Sequence, residues 1–241
     1  MTMREVVRPP TLTETVATAI QEAILRGDLR PGEPLHEVEL SKNLNTSRGT
    51  VREALRLLQR EGLVEVFVYR GAFVTELSPR RIWEIYTLRA KLEPYALRLA
   101  LEAKACTPED LAGLKNYLHK MGESERSDDY QGLITADMDF HCLLASRSGH
   151  ALLINMLDNL RTLTLLFILN TKLYRSDMVA DEVSHQAILD VILTGDPEAA
   201  EATLARHITD SGTSLLRRMA EVGMTVGNPL ALDQGSQLTR T

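Results

Sequence analysis

The stretch that decides the fold of the first part of the chain runs from Thr46 to Arg60: Thr-Ser-Arg-Gly-Thr-Val-Arg-Glu-Ala-Leu-Arg-Leu-Leu-Gln-Arg. Its apolar side chains recur at the spacing that buries one face of a helix: Val51, Ala54, Leu55 and Leu58. Its arginines recur every four residues and line a neighbouring stripe: Arg48, Arg52, Arg56 and Arg60. Glu53 is the only acid among them. A helix that packs on one face and is basic beside it is typical of DNA recognition.

The residues before this helix predict a second, shorter helix over roughly 36–44. Its apolar positions are Leu35, Val38 and Leu40. Asn45-Thr46 then predicts a tight turn, because asparagine tolerates the left-handed conformation that a sharp turn between helices needs. Ser47 is a natural N-cap for the arginine helix. Two short helices joined in this way form a helix-turn-helix.

The outer flanks predict one more helix and a hairpin. Thr11 and Glu14 have the spacing of a capping box, and the helix that they open ends at Gly27. After Gly62, the segments 63–68 and 72–75 alternate as strands do. We expect Arg70, between the two strands, at the tip of a wing where it can reach DNA. The order of these elements predicts a winged helix-turn-helix.

Residues 11–77 resemble the winged-helix domain of the GntR superfamily of bacterial transcription regulators. The matching residues are Ala23–Gly27, Arg30–Gly32, Ser47–Arg48, Val51–Leu55, Glu61–Val64 and Arg70–Val74. The sequence departs from the common pattern in three places: Asn45 replaces a glycine, Gly49-Thr50 replaces Thr-Pro, and Val38 replaces an arginine that some members carry. The resemblance implies a homodimer that binds an inverted repeat in double-stranded operator DNA. The residues expected to contact DNA are Ser47, Arg48, Gly49, Thr50, Arg52, Arg56, Arg70 and Gly71.

The composition limits the other possibilities. The net charge of the 241 residues is −6, but five basic residues and one acid lie between Lys42 and Arg60. The basic charge is therefore local, and we expect a small patch of phosphate contacts. Two cysteines in a chain of this size argue against a disulfide scaffold. The longest apolar stretch, around 163–169, is interrupted by Thr164, so we expect a buried bundle helix, no membrane association and a cytoplasmic protein.

From Ser78 onward the strand signals disappear and helix signals repeat. Ser78, Thr107 and Asp196 each place a capping residue before a proline at the first helical position. We predict six helices near 79–104, 108–124, 129–148, 150–174, 176–194 and 197–221, with short connections that favour an antiparallel bundle. The predicted organisation is therefore a DNA-binding domain over 1–77, an all-helical effector, metal-binding and dimerisation domain over 78–222, and a disordered tail over 223–241. The predicted fold class is mainly α.

Four residues of this second domain form a candidate metal site. Asp137 and His141 are four residues apart and share one helix face, while His185 and His207 lie on the next-to-last and last predicted helices. One carboxylate and three imidazoles suit a divalent cation such as zinc, nickel or manganese. A lone histidine is more often structural than a ligand, and periodicity alone leaves the convergence of the three histidines open.

Residues 80–217 resemble the FCD domain, the helical effector domain of FadR-like GntR regulators. Arg89-Ala-Lys-Leu-Glu93 matches its first-helix signature, and the sequences around Asp137, His141, His185 and His207 match its metal motifs. The resemblance implies a divalent cation at these four positions and a small carboxylate effector beside it. Arg89 has two interpretations: an ion pair with Glu93, or a guanidinium fork for the effector carboxylate.

Three functions remain open at this point. The first is a DNA-binding regulator, expected to be a repressor, whose operator affinity a small organic acid controls. The second is a regulator that senses the metal itself, with no organic effector. The third is a metalloenzyme, since a cation with open positions can activate water. Against an enzyme, the sequence offers no obvious general base beside the metal motif, and the winged helix would have no role.

Overall fold

The computed structural model describes residues 9–171, 173 and 181–224 of the chain. The chain forms two compact units, one that ends at Glu76 and one that begins at Leu77. The first unit combines helices with a small sheet, and the second is built from helices throughout its described residues. The predicted fold class, mainly α with a winged helix-turn-helix and a helical bundle, is confirmed. The predicted disordered tail lies outside the described residues from residue 225 onward.

The first unit has the element order of a winged helix. Its described elements are α1 (Leu12–Arg26), β1 (Pro34–Leu35), α2 (Glu37–Asn43), α3 (Arg48–Arg60), β2 (Val64–Phe67) and β3 (Gly71–Val74). Helix α1 packs against α3, and α2 packs against α3. The apolar stripe of α3 supplies the core of the unit, where Val51, Ala54 and Leu58 have no exposed surface. The arginine stripe beside it remains in solvent.

Local signals set the ends of these helices. Thr11 and Glu14 form the predicted capping box at the start of α1, and Gly27 ends that helix with φ 81°. Asn45 adopts φ 47° in the turn between α2 and α3, which is the left-handed conformation expected there. The Ser47 hydroxyl accepts a hydrogen bond from the backbone N–H of Thr50 and caps α3.

The sheet has one strand that the sequence did not predict. Its strands lie in the order β1-β3-β2 and are antiparallel, with Leu35 opposite Ala72 and Val66 also opposite Ala72. Leu35 was expected among the apolar positions of the α2 helix, but it is a buried residue of β1. Val38, expected to be buried, is 49% exposed. Leu35 is thus buried as part of the sheet rather than of α2, and Leu40 is the buried residue of α2.

The second unit is a bundle of long helices. Its described helices are α4 (Pro79–Glu102), α5 (Pro108–Ser127), α6 (Tyr130–Ser146), α7 (Ala151–Thr171), α8 (Asp181–Thr194) and α9 (Pro197–Glu221). The side chains of Ser78, Thr107 and Asp196 cap α4, α5 and α9, each followed by proline as predicted. The predicted end of the fourth bundle helix at 174 and the predicted start of the fifth at 176 lie outside the described residues.

Helix α4 is the central element of this bundle. It packs against α6, α7 and α9, while α5 packs against α6 and α8. The contact between α4 and α9 is close because Gly212 lies against Tyr86: a Cβ atom at Gly212 would approach the Tyr86 Cβ to 2.7 Å. Such close approach of two helices requires a small residue at the crossing point. Because α6, α7 and α9 pack around α4, the side chains on its inner face lie in the middle of the unit.

Helix α7 is apolar along most of its length. Its length and a mean hydropathy of 1.5 would by themselves suit a membrane span, a property that core helices share. Eight of its residues are buried within the unit, including Phe167, Ile168 and the hydroxyl-bearing Thr164. The Thr164 hydroxyl donates to the Leu160 carbonyl, which satisfies its polar atom in the core. These features match the predicted bundle helix.

Candidate DNA interface and candidate metal centre

Six of the eight predicted DNA-contacting residues lie together at the N-terminus and on the exposed face of α3. Ser47, Arg48, Gly49, Arg52 and Arg56 are exposed, and Thr50 is half-buried. The Ser47 and Thr50 hydroxyls lie 2.9 Å apart at the helix N-terminus. The first backbone N–H groups of a helix have no intrahelical acceptor, and together with the helix dipole they favour anions. This end of α3 is therefore suited to a phosphate, while the arginines extend along the helix.

Arg52 forms an ion pair that the sequence did not predict. Its Nε donates to Glu37 Oε1 at 2.8 Å and its Nη2 donates to Oε2 at 2.6 Å. The hydrogen bond from Arg52 lowers the pKa of Glu37, against the smaller opposing effect of burial. Arg56 pairs with Glu53 within α3, at 2.7 Å. Glu37 lies 15 residues from Arg52 on a different helix, so no local sequence pattern signals their contact.

The wing has Arg70 in the turn between its two strands, as predicted. The Arg70 N–H donates to the Phe67 carbonyl across a turn, and Tyr69 adopts φ 65° within it. Tyr69 is fully exposed at the tip. The Arg70 guanidinium lies 5.5 Å from the Phe67 ring and 5.6 Å from the Phe73 ring, so it is held against the strands. Arg70 therefore lies in the turn at the tip of the wing, and Gly71 begins β3.

In the second unit the structure brings Asp137, His141, His185 and His207 together. Their four candidate ligand atoms lie within 4.8 Å of one another. Helix α6 supplies Asp137 and His141, one turn apart, while α8 supplies His185 and α9 supplies His207. His185 Nε2 lies 2.8 Å from Asp137 Oδ1 and 3.3 Å from His141 Nε2. The convergence of three helices that periodicity left open is present in the structure.

The chemistry of these donors fits a divalent cation. His185 is fully buried, and Asp137 and His141 are nearly so. Burial, followed by the nearby His185 and His141, holds the pKa of His207 well below its usual value, which favours the neutral imidazole that a metal requires. Burial alone would raise the pKa of Asp137, but the hydrogen bond and charge of His185 lower it instead. A metal requires the neutral form of each imidazole, and three imidazoles with one carboxylate are a common donor set for zinc or a similar ion.

The buried ion pair between Arg89 and Glu93 contacts His141 at Nδ1, the ring nitrogen that does not face His185. Glu93 Oε2 lies 2.6 Å from His141 Nδ1, although not with the alignment of a regular hydrogen bond, and Glu93 Oε1 accepts from Arg89 Nε at 2.5 Å. Burial would raise the pKa of Glu93, but Arg89 and His141 lower it to about 2. A carboxylate on Nδ1 leaves Nε2 of His141 directed at the cluster, as in many metal sites.

Of the two interpretations of Arg89, the structure contains the ion pair with Glu93, and contact with an effector stays a prediction. Its ion pair with Glu93 exists, but it is buried rather than at a surface: the two side chains are 4% and 8% exposed. The guanidinium also lies 5.1 Å from the Tyr86 ring. Arg89 borders a space of about 10 Å³ beside Asp137, His141 and His207, and it also borders a larger cavity.

The larger cavity lies among α4, α6 and α7 and has a volume of about 260 Å³. Its lining includes Arg89, Glu93, His141, Cys142, Leu157 and Arg161. Cys142 is half-buried and borders this cavity, as does its neighbour His141 on α6. Burial raises the pKa of its thiol to about 11, so it remains protonated. The cavity is large enough for a small organic molecule.

The remaining histidines stay apart from the cluster. His150 Nδ1 accepts from the Leu153 N–H at 3.2 Å and so caps α7. His119 pairs with Glu123 on the surface of α5.

The fold and the exposed basic helix define a winged-helix DNA-binding protein joined to a helical domain, and comparisons with known proteins identify its family. Residues 12–74 match the family described as bacterial regulatory proteins, gntR family, and residues 84–210 match the FCD domain. The chain therefore belongs to the FCD-containing GntR regulators and is a DNA-binding transcription regulator. The predicted family is confirmed.

Individual relatives agree with this assignment. The chain is 30% identical over 202 residues to the probable D-xylose utilization operon transcriptional repressor of Paenarthrobacter nicotinovorans, covering 80% of this chain and 86% of that one. It is 27% identical to the galactonate operon transcriptional repressor of Escherichia coli, covering 87% and 97%. The solved structure of E. coli McbR matches with a TM-score of 0.74 and 25% identity, over 87% and 99%. These relatives are regulators, not enzymes, so the metalloenzyme alternative is set aside.

Proposed function

We propose that this protein is a homodimeric, cytoplasmic repressor whose affinity for operator DNA is controlled by a small carboxylate bound beside a divalent cation. The observation that carries the proposal is the convergence of Asp137, His141, His185 and His207 next to Arg89. The four ligands would hold the cation, which supplies a fixed positive charge in the middle of the helical unit. Two of the relatives described above are named repressors, which favours repression.

The charges around the cluster favour an anion with one carboxylate head. A divalent cation with Asp137 as its anionic ligand leaves about one positive charge. Arg89 adds a second positive charge, but Glu93 pairs with it and cancels that addition. One uncompensated charge in a buried site is costly, and a carboxylate that contacts both the cation and the guanidinium balances it. An aliphatic chain or a neutral sugar lacks this charge.

The available space indicates how such an acid would act. The 10 Å³ space beside Asp137, His141 and His207 holds about one water molecule. An acid larger than water that reaches the cation must therefore move Tyr86 or Arg89, the two α4 residues that border the space. Helix α4 begins at Pro79, directly after the winged-helix unit ends at Glu76. A ligand that moves α4 shifts the DNA-binding equilibrium only if it binds the two arrangements with different affinity.

At the DNA, two copies of α3 would read the two halves of an inverted repeat. Arg48 and Arg52 extend towards base edges, and Arg56 and the N-terminus of α3 extend towards phosphates. Tyr69 and Arg70 of the wing belong to the same unit, are exposed, and would be available to a neighbouring groove.

A second candidate is a regulator that responds to the metal alone. The small size of the space beside the four ligands favours it, because a closed set of four protein ligands is typical of structural or sensing sites. The two candidates differ in one respect: only the first requires an organic acid for the change in operator affinity.

Metal analysis and thermal unfolding test the proposal together. We expect purified protein incubated with zinc or nickel to contain about one metal per chain and to unfold at a higher temperature than the metal-free protein. Small carboxylates should raise the midpoint further only when metal is present. His207→Ala should remove both effects, and His119→Ala, at an exposed histidine of α5, serves as the matched control. Metal well below one per chain in the wild type contradicts the proposal.

A further inference from the structure

The fork between Glu37 and Arg52 joins two helices of the winged-helix unit. Glu37 is the first residue of α2, and Arg52 lies in the first half of α3. Both carboxylate oxygens accept from the same edge of the guanidinium, Nε and Nη2, at 2.8 and 2.6 Å. Two parallel hydrogen bonds fix the plane of the guanidinium as well as its position. The pair therefore determines where the outer edge of Arg52 points.

This pair contributes little to the stability of the fold. The Arg52 side chain is 56% exposed and that of Glu37 is 31% exposed. Ion pairs between exposed groups are weakened by water and salt, and many have no measurable effect on folding. The Glu37–Arg52 pair therefore matters for the function of Arg52, which lies on the proposed DNA-facing side of α3.

The arrangement leaves free the edge of Arg52 that base recognition uses. Guanine presents O6 and N7 in the major groove and accepts two hydrogen bonds from one edge of an arginine. With Nε and one Nη2 hydrogen directed at Glu37, the Nη1 and second Nη2 hydrogens remain on the outer edge. An arginine already held in one rotamer loses less conformational freedom when it binds.

The charge of Glu37 has a second effect, on all DNA regardless of sequence. Arg56 pairs with Glu53 of its own helix, through Nη1 alone. Glu37 instead places a carboxylate from a neighbouring helix against the middle of the arginine stripe. A carboxylate at this surface repels phosphates and so weakens non-specific binding, which depends on phosphate neutralisation. A residue that favours the guanine contact and disfavours the phosphate contact raises the ratio of the two affinities.

We propose that Glu37 is a specificity-determining residue that positions Arg52 for a guanine in each operator half-site and suppresses binding to other sequences. Glu37 itself touches no base; it acts through Arg52. This role goes beyond the assignment of the base-reading arginines, and it does not depend on the metal or the effector.

Glu37→Gln tests the proposal, because glutamine keeps the shape of the side chain and removes its charge. The matched control is Glu39→Gln, which removes the same charge from an exposed position of α2. The DNA probes are a duplex selected by the wild-type protein from a random pool and a duplex of random sequence. Circular dichroism and thermal melts establish that each variant is folded.

We expect Glu37→Gln to lower the ratio of specific to non-specific affinity about three- to tenfold and to tighten binding to the random duplex. Repeated selection with this variant should give a weaker guanine preference at one position of each half-site. Glu39→Gln should leave the ratio and the selected sequence unchanged. In an Arg52→Ala background, Glu37→Gln should tighten binding to both duplexes by the same factor and so leave the residual ratio unchanged.

Two outcomes would overturn the proposal. In the first, Glu37→Gln and Glu39→Gln change the affinity ratio equally, so that only the overall charge matters. In the second, Glu37→Gln tightens specific and non-specific binding by the same factor, which means that Glu37 merely holds Arg52 back from DNA.

Discussion

The arginine face of α3 and the histidine cluster of the bundle are both built from charged or ionisable side chains, but they differ in their access to water. Arg52 and Arg56 are more than half exposed, and each pairs with one carboxylate at the surface. Asp137, His141 and His185 are buried and contact one another. The arginines of α3 can therefore exchange their carboxylate partners for other groups, whereas the fold encloses the histidine cluster.

This difference determines what each site does to the protein. Water screens the exposed pairs, so they add little to stability and can be replaced by contacts with DNA. Burial strengthens the interactions of the enclosed groups and makes any uncompensated charge costly. Changes on α3 should therefore alter binding without altering stability, and changes in the cluster should alter stability first. The following predictions test that contrast, beginning with the largest expected effect.

Arg52→Ala should separate binding from stability most clearly. Removal of a bidentate arginine–guanine pair costs about 1–3 kcal/mol in each half-site, or about 2–6 kcal/mol for a dimer on an inverted repeat. The free energy of unfolding should change by less than about 0.5 kcal/mol, because Arg52 is exposed. Fluorescence anisotropy with operator DNA and chemical denaturation measure the two quantities. Unchanged operator affinity contradicts the assignment of α3.

His185→Ala should have the opposite pattern. A cation present at 100 times its dissociation constant stabilises the folded protein by about 2.7 kcal/mol, and this variant should lose that contribution. Thermal unfolding with and without added zinc measures it. Operator affinity without any acid should change much less than in Arg52→Ala. If zinc still stabilises the variant as much as the wild type, His185 is not a ligand.

Two glycine substitutions compare the packing of the two regions. A Cβ at Gly212 would approach Tyr86 to 2.7 Å, so Gly212→Ala should destabilise the bundle by about 1–3 kcal/mol. A Cβ at Gly49 meets Ser47 Oγ at 3.6 Å, an ordinary contact, so Gly49→Ala should be neutral or slightly stabilising. Denaturant titrations of both variants measure the difference. Equal stability of the two would mean that α9 moves away from α4 at little cost.

Arg56→Ala should have the smallest effect. If Arg56 neutralises a phosphate, its removal should make the slope of log K against log salt shallower by about 0.9, or by about 1.8 for a dimer. The preferred operator sequence should stay the same. Affinity titrations at several salt concentrations give the slope, with Arg52→Ala as the comparison that also alters sequence preference. An unchanged slope would show that Arg56 does not bind a phosphate.

Features set by neighbouring residues were predictable from the sequence. The caps at Thr11, Ser47 and Thr107 and the left-handed Asn45 depend on a few adjacent residues, and each has the expected geometry. The shared face of Asp137 and His141 follows from helix periodicity in the same way. The resemblance to the FCD domain implied that His185 and His207 join these two residues, because their helices meet α6 only in the folded unit.

Contacts between distant segments were not predictable. Strand β1 has two residues, too few for a periodic signal, and it exists because it pairs with β3 almost forty residues later. Glu37 on α2 contacts Arg52 on α3, and Glu93 on α4 contacts His141 on α6. The burial of the Arg89–Glu93 pair depends in the same way on how α4 is enclosed by α6, α7 and α9.

The most direct test of the account measures operator affinity in four conditions: metal-free protein, protein with zinc, protein with acid, and protein with both. A panel of glycolate, malate and gluconate supplies the acids, with neutral sugars as controls. We expect a change of at least about fivefold, the lower end of typical coupling between two sites, only when metal and one of the acids are both present. The same affinity in all four conditions, for every acid, would contradict control of DNA binding through the histidine cluster.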